Sequence, residues 1–279
     1  MWWLYSAQVF CSAGQSALGK QYAFKGGTAS NFNLSKILSG LIVFGLWGLV
    51  GGFSVHLPTI WLGLLYGLFL FLSMQMGFMA LAIGPMALTS IIASFSLIIP
   101  LFFGIMVWNE TLSLFGQIGI VLITASIVLL NAKKEQGVSV KWLLLALATL
   151  LSNGICSVIQ NLHQRTFPTL YRTEFMIAAL LSASIWLIAV ETVRAKRLKR
   201  VRFSPSALGV GAGVLNGAAN YLVLFLSATE NASVLFPIVS VANVIAVWLV
   251  GHTLFRERLK AIQIVGLLCG VSAIVLLKL

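Results

Sequence analysis

The sequence predicts an all-α membrane protein whose ten transmembrane helices form two inverted five-helix repeats. Three observations predict it. The chain is 59 % hydrophobic and only 9 % charged, with a mean hydropathy of +1.02, whereas soluble domains carry about 25 % charged residues. No Lys, Arg, Asp or Glu occurs between Ile37 and Asn109. As one helix that stretch would run on the order of 100 Å, against a bilayer core of about 30 Å, so it must cross several times. Finally, segment 84–130 recurs in register 147 residues later, at 231–277, with 11 identities in 47 positions.

The apolar runs divide into ten spans near 2–19, 35–53, 59–80, 85–108, 112–131, 141–163, 172–192, 206–228, 232–254 and 261–277. Short polar or Gly/Pro segments separate them, among them Lys25-Gly26-Gly27, His56-Leu57-Pro58, Gly84-Pro85 and Phe203-Ser204-Pro205. Pro58, Pro85 and Pro205 stand where a helix would begin, the position at which a missing N–H costs least. Continuous apolar runs, without strict alternation, indicate helices and exclude a barrel. The repeats divide the chain into 1–136 and 137–279. Five spans per repeat is an odd number, so the second repeat inserts in the opposite direction, the architecture of alternating-access transporters.

Charge gives orientation. The net charge of +12 would suggest nucleic acid for a soluble protein, but the charges lie between spans and read as topology signals, so no nucleic-acid partner is expected. Of 18 Lys and Arg, 15 fall in the loops after spans one, five, seven and nine, leaving Arg165, Arg172 and Lys278 on the other side. The positive-inside rule then places both termini outside. The run Arg194–Arg202 reads as a topology anchor, with a lipid-headgroup patch as the alternative. Cys11, Cys156 and Cys269 fall in three different spans without metal spacing and read as packing residues.

The pattern Ala93-x6-Pro100-Leu101-x8-Glu110-x8-Gly119 resembles the EamA-type repeat of the drug/metabolite transporter superfamily, with a second copy at Asn231–Glu257–Gly266. Trp2, Leu4, Ser12 and Gly14 match Trp142, Leu144, Ser152 and Gly154, so the resemblance covers essentially the whole chain as two five-span repeats. It implies a substrate site near the midplane between the repeats. It also implies cytoplasmic termini, opposite to the charge count, and both orientations stay open. The second copy departs from the first in carrying Val247 where Pro100 stands, its proline lying earlier at Pro237.

Polar residues inside spans are costly and often functional, which makes them the candidates for substrate contact. Gln8, Ser12, Gln15 and Gly19 follow helical spacing on span one, and Asn153, Ser157, Gln160 and Asn161 do so on span six. Span three offers Gln75, span eight Asn216 and Asn220, and spans four and nine Ser94, Ser96, Ser240 and Asn243. The expected substrate-binding set is Ser12, Gln15, Gln75, Ser94, Asn153, Ser157, Asn216, Asn220 and Asn243. For the serines the competing reading is a bond to their own helix; the amides carry donors and acceptors that packing does not need. Glu110, Glu257, Pro100 and Pro237 are the structural or gating candidates, the two carboxylates sitting where a following helix presents its positive end. Trp2, Trp3 and Trp142 read as interfacial anchors, and His163 and His252 as span-end, interfacial histidines. Phe71, Phe78, Phe95, Tyr221 and Phe225 lie deeper, and Glu174 sits at the rim. The glycines of spans two, three and eight, including Gly45, Gly48, Gly51, Gly52, Gly63, Gly67, Gly209, Gly213 and Gly217, would permit close helix contact.

No acid, Lys or Arg lies at mid-span. That argues against a buried proton relay and against phosphorylated substrates, which want a buried cation. No metal or catalytic motif appears, so neither a cofactor nor an enzymatic activity is expected. The reading is a secondary transporter of a small neutral or zwitterionic, amino-acid-like metabolite in a cell (inner) membrane, in contact with lipid. A homodimer is compatible with such a bundle. The alternative is a lipid flippase or membrane scaffold subunit with a groove open to lipid.

Overall fold

Among the described residues the continuously apolar runs close their backbone hydrogen bonds as helix, the arrangement a chain needs to leave water. The computed structural model describes residues 2–26, 28–83, 92–93, 95–130, 139–168, 170–198, 206–255 and 261–276. Among them are ten α-helices and no strand. They are α1 (Trp2–Phe24), α2 (Ala29–Gly51), α3 (Leu57–Ile83), α4 (Ile98–Val107, entered through a 3-10 turn at Phe95–Leu97) and α5 (Leu114–Leu130). Then follow α6 (Val140–Thr166), α7 (Arg172–Leu198), α8 (Ala207–Leu226), α9 (Ala232–Phe255) and α10 (Ala261–Leu276). Each apolar run of the sequence carries one of them. Five, α2, α3, α6, α7 and α8, contain a stretch long and apolar enough to cross a membrane. Large apolar side chains such as Phe10, Trp47, Val121 and Leu268 point outward, a surface suited to lipid. Ser94, Pro85, Glu257 and the expected repeat boundary at 136/137 lie outside the described residues, as do the side chains of Phe78, His252 and the 194–202 basic run.

Helix ends follow local chemistry more than hydropathy. α1 runs past Gly19 to Phe24 and stops where Gly26 turns left-handed, at φ 72°. Ser206 caps α8, its hydroxyl accepting from the Gly209 N–H at 3.4 Å. α7 continues to Leu198, five residues into the basic run that the sequence reading assigned to a loop. Arg, Ala, Lys and Leu are strong helix formers, and nothing in Arg194–Leu198 breaks the helix.

The chain forms two compact units, each drawing on both halves of the sequence: residues 1–71 with 162–228, and residues 72–161 with 229–279. In the first, α1 and α2 both pack on α8, and α2 also on α7. Small residues set these approaches. A Cβ on Gly213 would overlap the Lys36 carbonyl and the Ser39 hydroxyl, and Ser39 Oγ also donates to the Val210 carbonyl at 3.1 Å. A Cβ on Gly67 would overlap the Ala179 carbonyl, and beside it Ser182 Oγ donates to the Leu64 carbonyl at 2.8 Å. Gly63, Gly209 and Gly217 also meet neighbouring helices closely. Gly45 and Gly52 do not: nothing stands within 4 Å of a Cβ at either, and Gly52 instead serves a turn at φ 83°.

In the second unit α5 packs along α10 and α4 against α9. Ser126 Oγ donates to the Gly266 carbonyl at 2.6 Å, across the α5–α10 contact. Ile99 fills the space that a side chain at Gly154 would need. Trp142, expected at an interface, is 2 % exposed and packs with Ala80 and Ala146. Its place in the first turn of α6 puts it near a helix end in sequence but under α3 in space.

Candidate functional site

The densest buried polar chemistry lies in the first unit, where the loop before α3, the first turn of α3, the last turn of α6 and the first turn of α7 meet. His163 and Gln164, consecutive on α6, are both 0 % exposed, and Arg172, the first residue of α7, is nearly as buried. Arg172 Nε donates to Gln164 Oε1 at 2.7 Å. A guanidinium can only donate, so this bond orients the amide and leaves Gln164 Nε2 as donor. Nε2 faces His163 Nδ1 at 3.0 Å, making that nitrogen an acceptor and placing the ring hydrogen on Nε2. His163 Nε2 then donates to Thr59 Oγ1 at 3.1 Å, and the Thr59 hydroxyl donates to His56 Nδ1 at 3.0 Å. Four hydrogen bonds run in one direction from Arg172 to His56.

Aromatic rings enclose this chain. The Arg172 guanidinium lies 4.5 Å from the centre of the Phe225 ring and hydrogen-bonds the Tyr221 side chain, both on α8. His56 stacks on Tyr171, with centroids 4.4 Å apart and planes 3° apart, and meets the edge of Phe167 at 4.6 Å. Tyr171 holds a left-handed backbone, φ 55°, which turns the chain into α7. Phe175, fully buried, touches both His163 and Tyr66. Tyr66 donates to Asn220 Oδ1 at 3.0 Å, and Asn220 Nδ2 donates to the Asn216 carbonyl one turn back at 2.9 Å. Glu174 accepts from both the N–H and the hydroxyl of Ser54 at 3.1 Å, which pins the 52–56 loop to α7.

His163 therefore departs from the interfacial role expected of it. It sits near a helix end, but it is fully buried there with the Phe167 and Phe175 rings against it. Arg172, counted as a loop charge, is likewise buried. The sequence held one usable signal: four polar residues, His163, Gln164, Arg165 and Thr166, close a span together, more than a topology marker needs. Tyr221 and Phe225, which the sequence places deeper in span eight, lie beside a cation, the Arg172 guanidinium.

Other candidates are differently placed. On α1, Gln8 and Gln15 lie two turns apart on one face, with Ser12 between them. The amide oxygens of both glutamines are cut off from solvent and have no hydrogen-bond partner. In the second unit Ser73 donates to Asn153 Oδ1 at 2.5 Å, Ser157 Oγ donates to the Asn153 carbonyl at 3.2 Å, and Gln75 is buried on α3. Asn243 Oδ1 on α9 is buried without a partner.

Glu110 also departs from its expected place: it caps the start of α9, not that of the helix following it in sequence. Its Oε1 accepts from Ala232 N–H at 3.0 Å and its Oε2 from Ser233 N–H at 2.8 Å. Asn109, left-handed at φ 52°, and the bond from Glu110 N–H to the Gly104 carbonyl at 3.0 Å aim the carboxylate there. Gly104 leaves room for it, since a Cβ would come within 2.5 Å of Glu110 Oε2. Pro100 is buried in the first turn of α4, and Pro237 lies inside α9, where it removes the N–H that would bond Ser233. Among the described residues no three His, Cys, Asp or Glu come together as a metal site.

No family model and no curated protein matches this sequence. The chain is similar in fold to a protein of known crystal structure, with a TM-score of 0.75 over 98 % of this chain and 94 % of the other, at 16 % identity. That likeness carries the fold and no function.

Proposed function

We propose that the chain is a secondary transporter of the EamA type, its ten helices spanning a cell membrane as two inverted five-helix repeats that move a small neutral or zwitterionic, amino-acid-like metabolite by alternating access. One observation carries the reading. Counted from the start of each expected repeat, matching helices are partners in space: α2 packs on α7, α4 on α9 and α5 on α10. Contact between an element and its own counterpart is what a pseudo-two-fold axis produces, and inverted repeats related by such an axis build many transporter folds. The recurrence of 84–130 at 231–277 supports the same pairing from the sequence side.

The amides distributed over α1, α3, α6, α8 and α9 suit a solute without net charge. The buried cation, Arg172, is engaged by Gln164, Tyr221 and Phe225, so it does not alter the argument against phosphorylated substrates.

The test is uptake into proteoliposomes from a panel of amino acids, polyols, nucleosides and phosphorylated metabolites. Saturable uptake of one uncharged or zwitterionic class supports the proposal. Uptake confined to phosphorylated compounds overturns the substrate class. Translocation of tail-labelled lipid without solute uptake favours a flippase.

A further inference from the structure

We propose that Gln8 and Gln15 form one binding face on α1 for the polar head of a net-neutral solute, each amide offering it one acceptor and up to two donors. The inference rests on the transporter reading for what the solute is, and on geometry for where it binds.

Gln8 is 3 % exposed, yet its amide oxygen is shut off from solvent with no hydrogen-bond partner, and the same holds for the amide oxygen of the half-buried Gln15. Buried side-chain polar atoms in folded proteins are nearly always bonded, and each one left unbonded is costly. Two such amides on one helix face are a cost that a bound polar group would remove. Seven residues of helix separate them by about 10.5 Å along the axis, and two glutamine side chains leaning together can bracket a head group of a few heavy atoms. Ser12 stands between them on the same face.

The glutamine face lies along one edge of the contact between α1 and α8. A Cβ on Gly14 would lie 2.9 Å from Leu215, and one on Gly211 would lie 3.3 Å from Leu18, so residues 14 and 18 face α8. At 100° per residue Gln15 stands about 60° and Gln8 about 80° round the helix from Leu18, so the two glutamines flank that contact, with Ser12 farther round. The solute's chemistry follows from what an amide is. It can turn either end toward a ligand, so it serves an ammonium, a hydroxyl or a carboxylate equally. Carrying no charge itself, it cannot compensate a phosphate or a dication out of water.

Methionine matches glutamine in length and removes only the polar end. Gln8→Met and Gln15→Met should each raise the melting temperature of the ligand-free protein by about 2–4 °C, because an unbonded buried amide is lost. Each should also weaken by about tenfold the binding of any neutral or zwitterionic solute that raises the melting temperature of the wild type. Ser184→Ala, on α7, whose hydroxyl donates to the Leu180 carbonyl of its own helix, serves as the comparison for a general loss of polarity. An unchanged or lowered melting temperature in both methionine variants overturns the proposal, since the amides would then be bonded within the fold. So does a wild-type solute response that both variants keep in full. Solute uptake by the wild type with unaltered variants leaves the transporter reading standing and removes this face. A melting shift lost in the variants, with no uptake by the wild type, keeps the face and removes the transporter reading.

Discussion

The clasp from Arg172 to His56 and the glutamine face of α1 belong to the same compact unit and both hold polar atoms shut off from solvent, yet these groups are treated oppositely. In the clasp four polar groups in turn each find an acceptor, over successive bonds of 2.7–3.1 Å. On α1 two amide oxygens have no partner. Buried polar groups that satisfy one another hold a structure in place; buried polar groups left open need something from outside the chain. The clasp ties α3, α6 and α7 together, and α1 presents chemistry that the fold does not consume.

The largest blow to the clasp comes from the packing beneath it. Gly67→Ala drives a methyl into the backbone carbonyl of Ala179, so α3 and α7 must separate and Thr59 leaves His163. The expected cost is roughly 3 kcal/mol, seen as a fall of several degrees in thermal melting in detergent. A melting point equal to the wild type would mean that the two helices have slack. Gln164→Leu cuts the clasp at its centre and strands both Arg172 Nε and His163 Nδ1. It should cost about 2 kcal/mol, and tyrosine and histidine resonances of His56 and Tyr171 should shift with it. If Gln164→Met and Gln164→Leu melt like the wild type, the directional chain has no energetic weight.

Glu110→Gln sharpens the comparison from the second unit, where another buried polar group is satisfied. One of the two α9 N–H groups loses its acceptor and the charge at the helix terminus disappears, so about 1 kcal/mol of stability should go. Unaltered melting would show that water replaces the carboxylate. The smallest effect has the opposite sign. Gly45→Ala meets nothing within 4 Å and should stabilise by about 0.5 kcal/mol through helix propensity alone. Destabilisation there would reveal a neighbour that the packing of α2 does not show.

Some of this was legible beforehand. Helix positions were, because the length of each apolar run and the prolines and glycines between runs are local properties. The shortlist of polar faces was too: Gln8, Ser12 and Gln15 fall on one side of α1 by periodicity alone, and the Ser39 and Ser182 bonds to neighbouring carbonyls follow the rule that small polar residues join apolar helices. Gly63, Gly67 and Gly213 were marked as contact residues by type; Gly45 was marked for the same reason and makes no contact, because composition does not say which side of a helix meets a neighbour. The clasp was not legible. His163 and Arg172 stand at helix ends, where position along the chain suggests exposure, and only tertiary packing buries them, with Phe167 and Phe175 against the His163 ring and Phe225 against the Arg172 guanidinium.

The sequence by itself determined that this chain is helical and apolar on its outside, because backbone satisfaction and transfer free energy depend on runs of residues read in order. It also determined which residues were polar where polarity is costly. Tertiary structure alone decided which of those costs are met within the chain. Glu110 reaches Ser233 across 123 positions and Thr59 reaches His163 across 104, and hydrogen bonds between such distant residues are set by helix packing that no local pattern encodes. The same packing left Gln8 and Gln15 open, and a missing partner can be recognised only when every neighbour is in place.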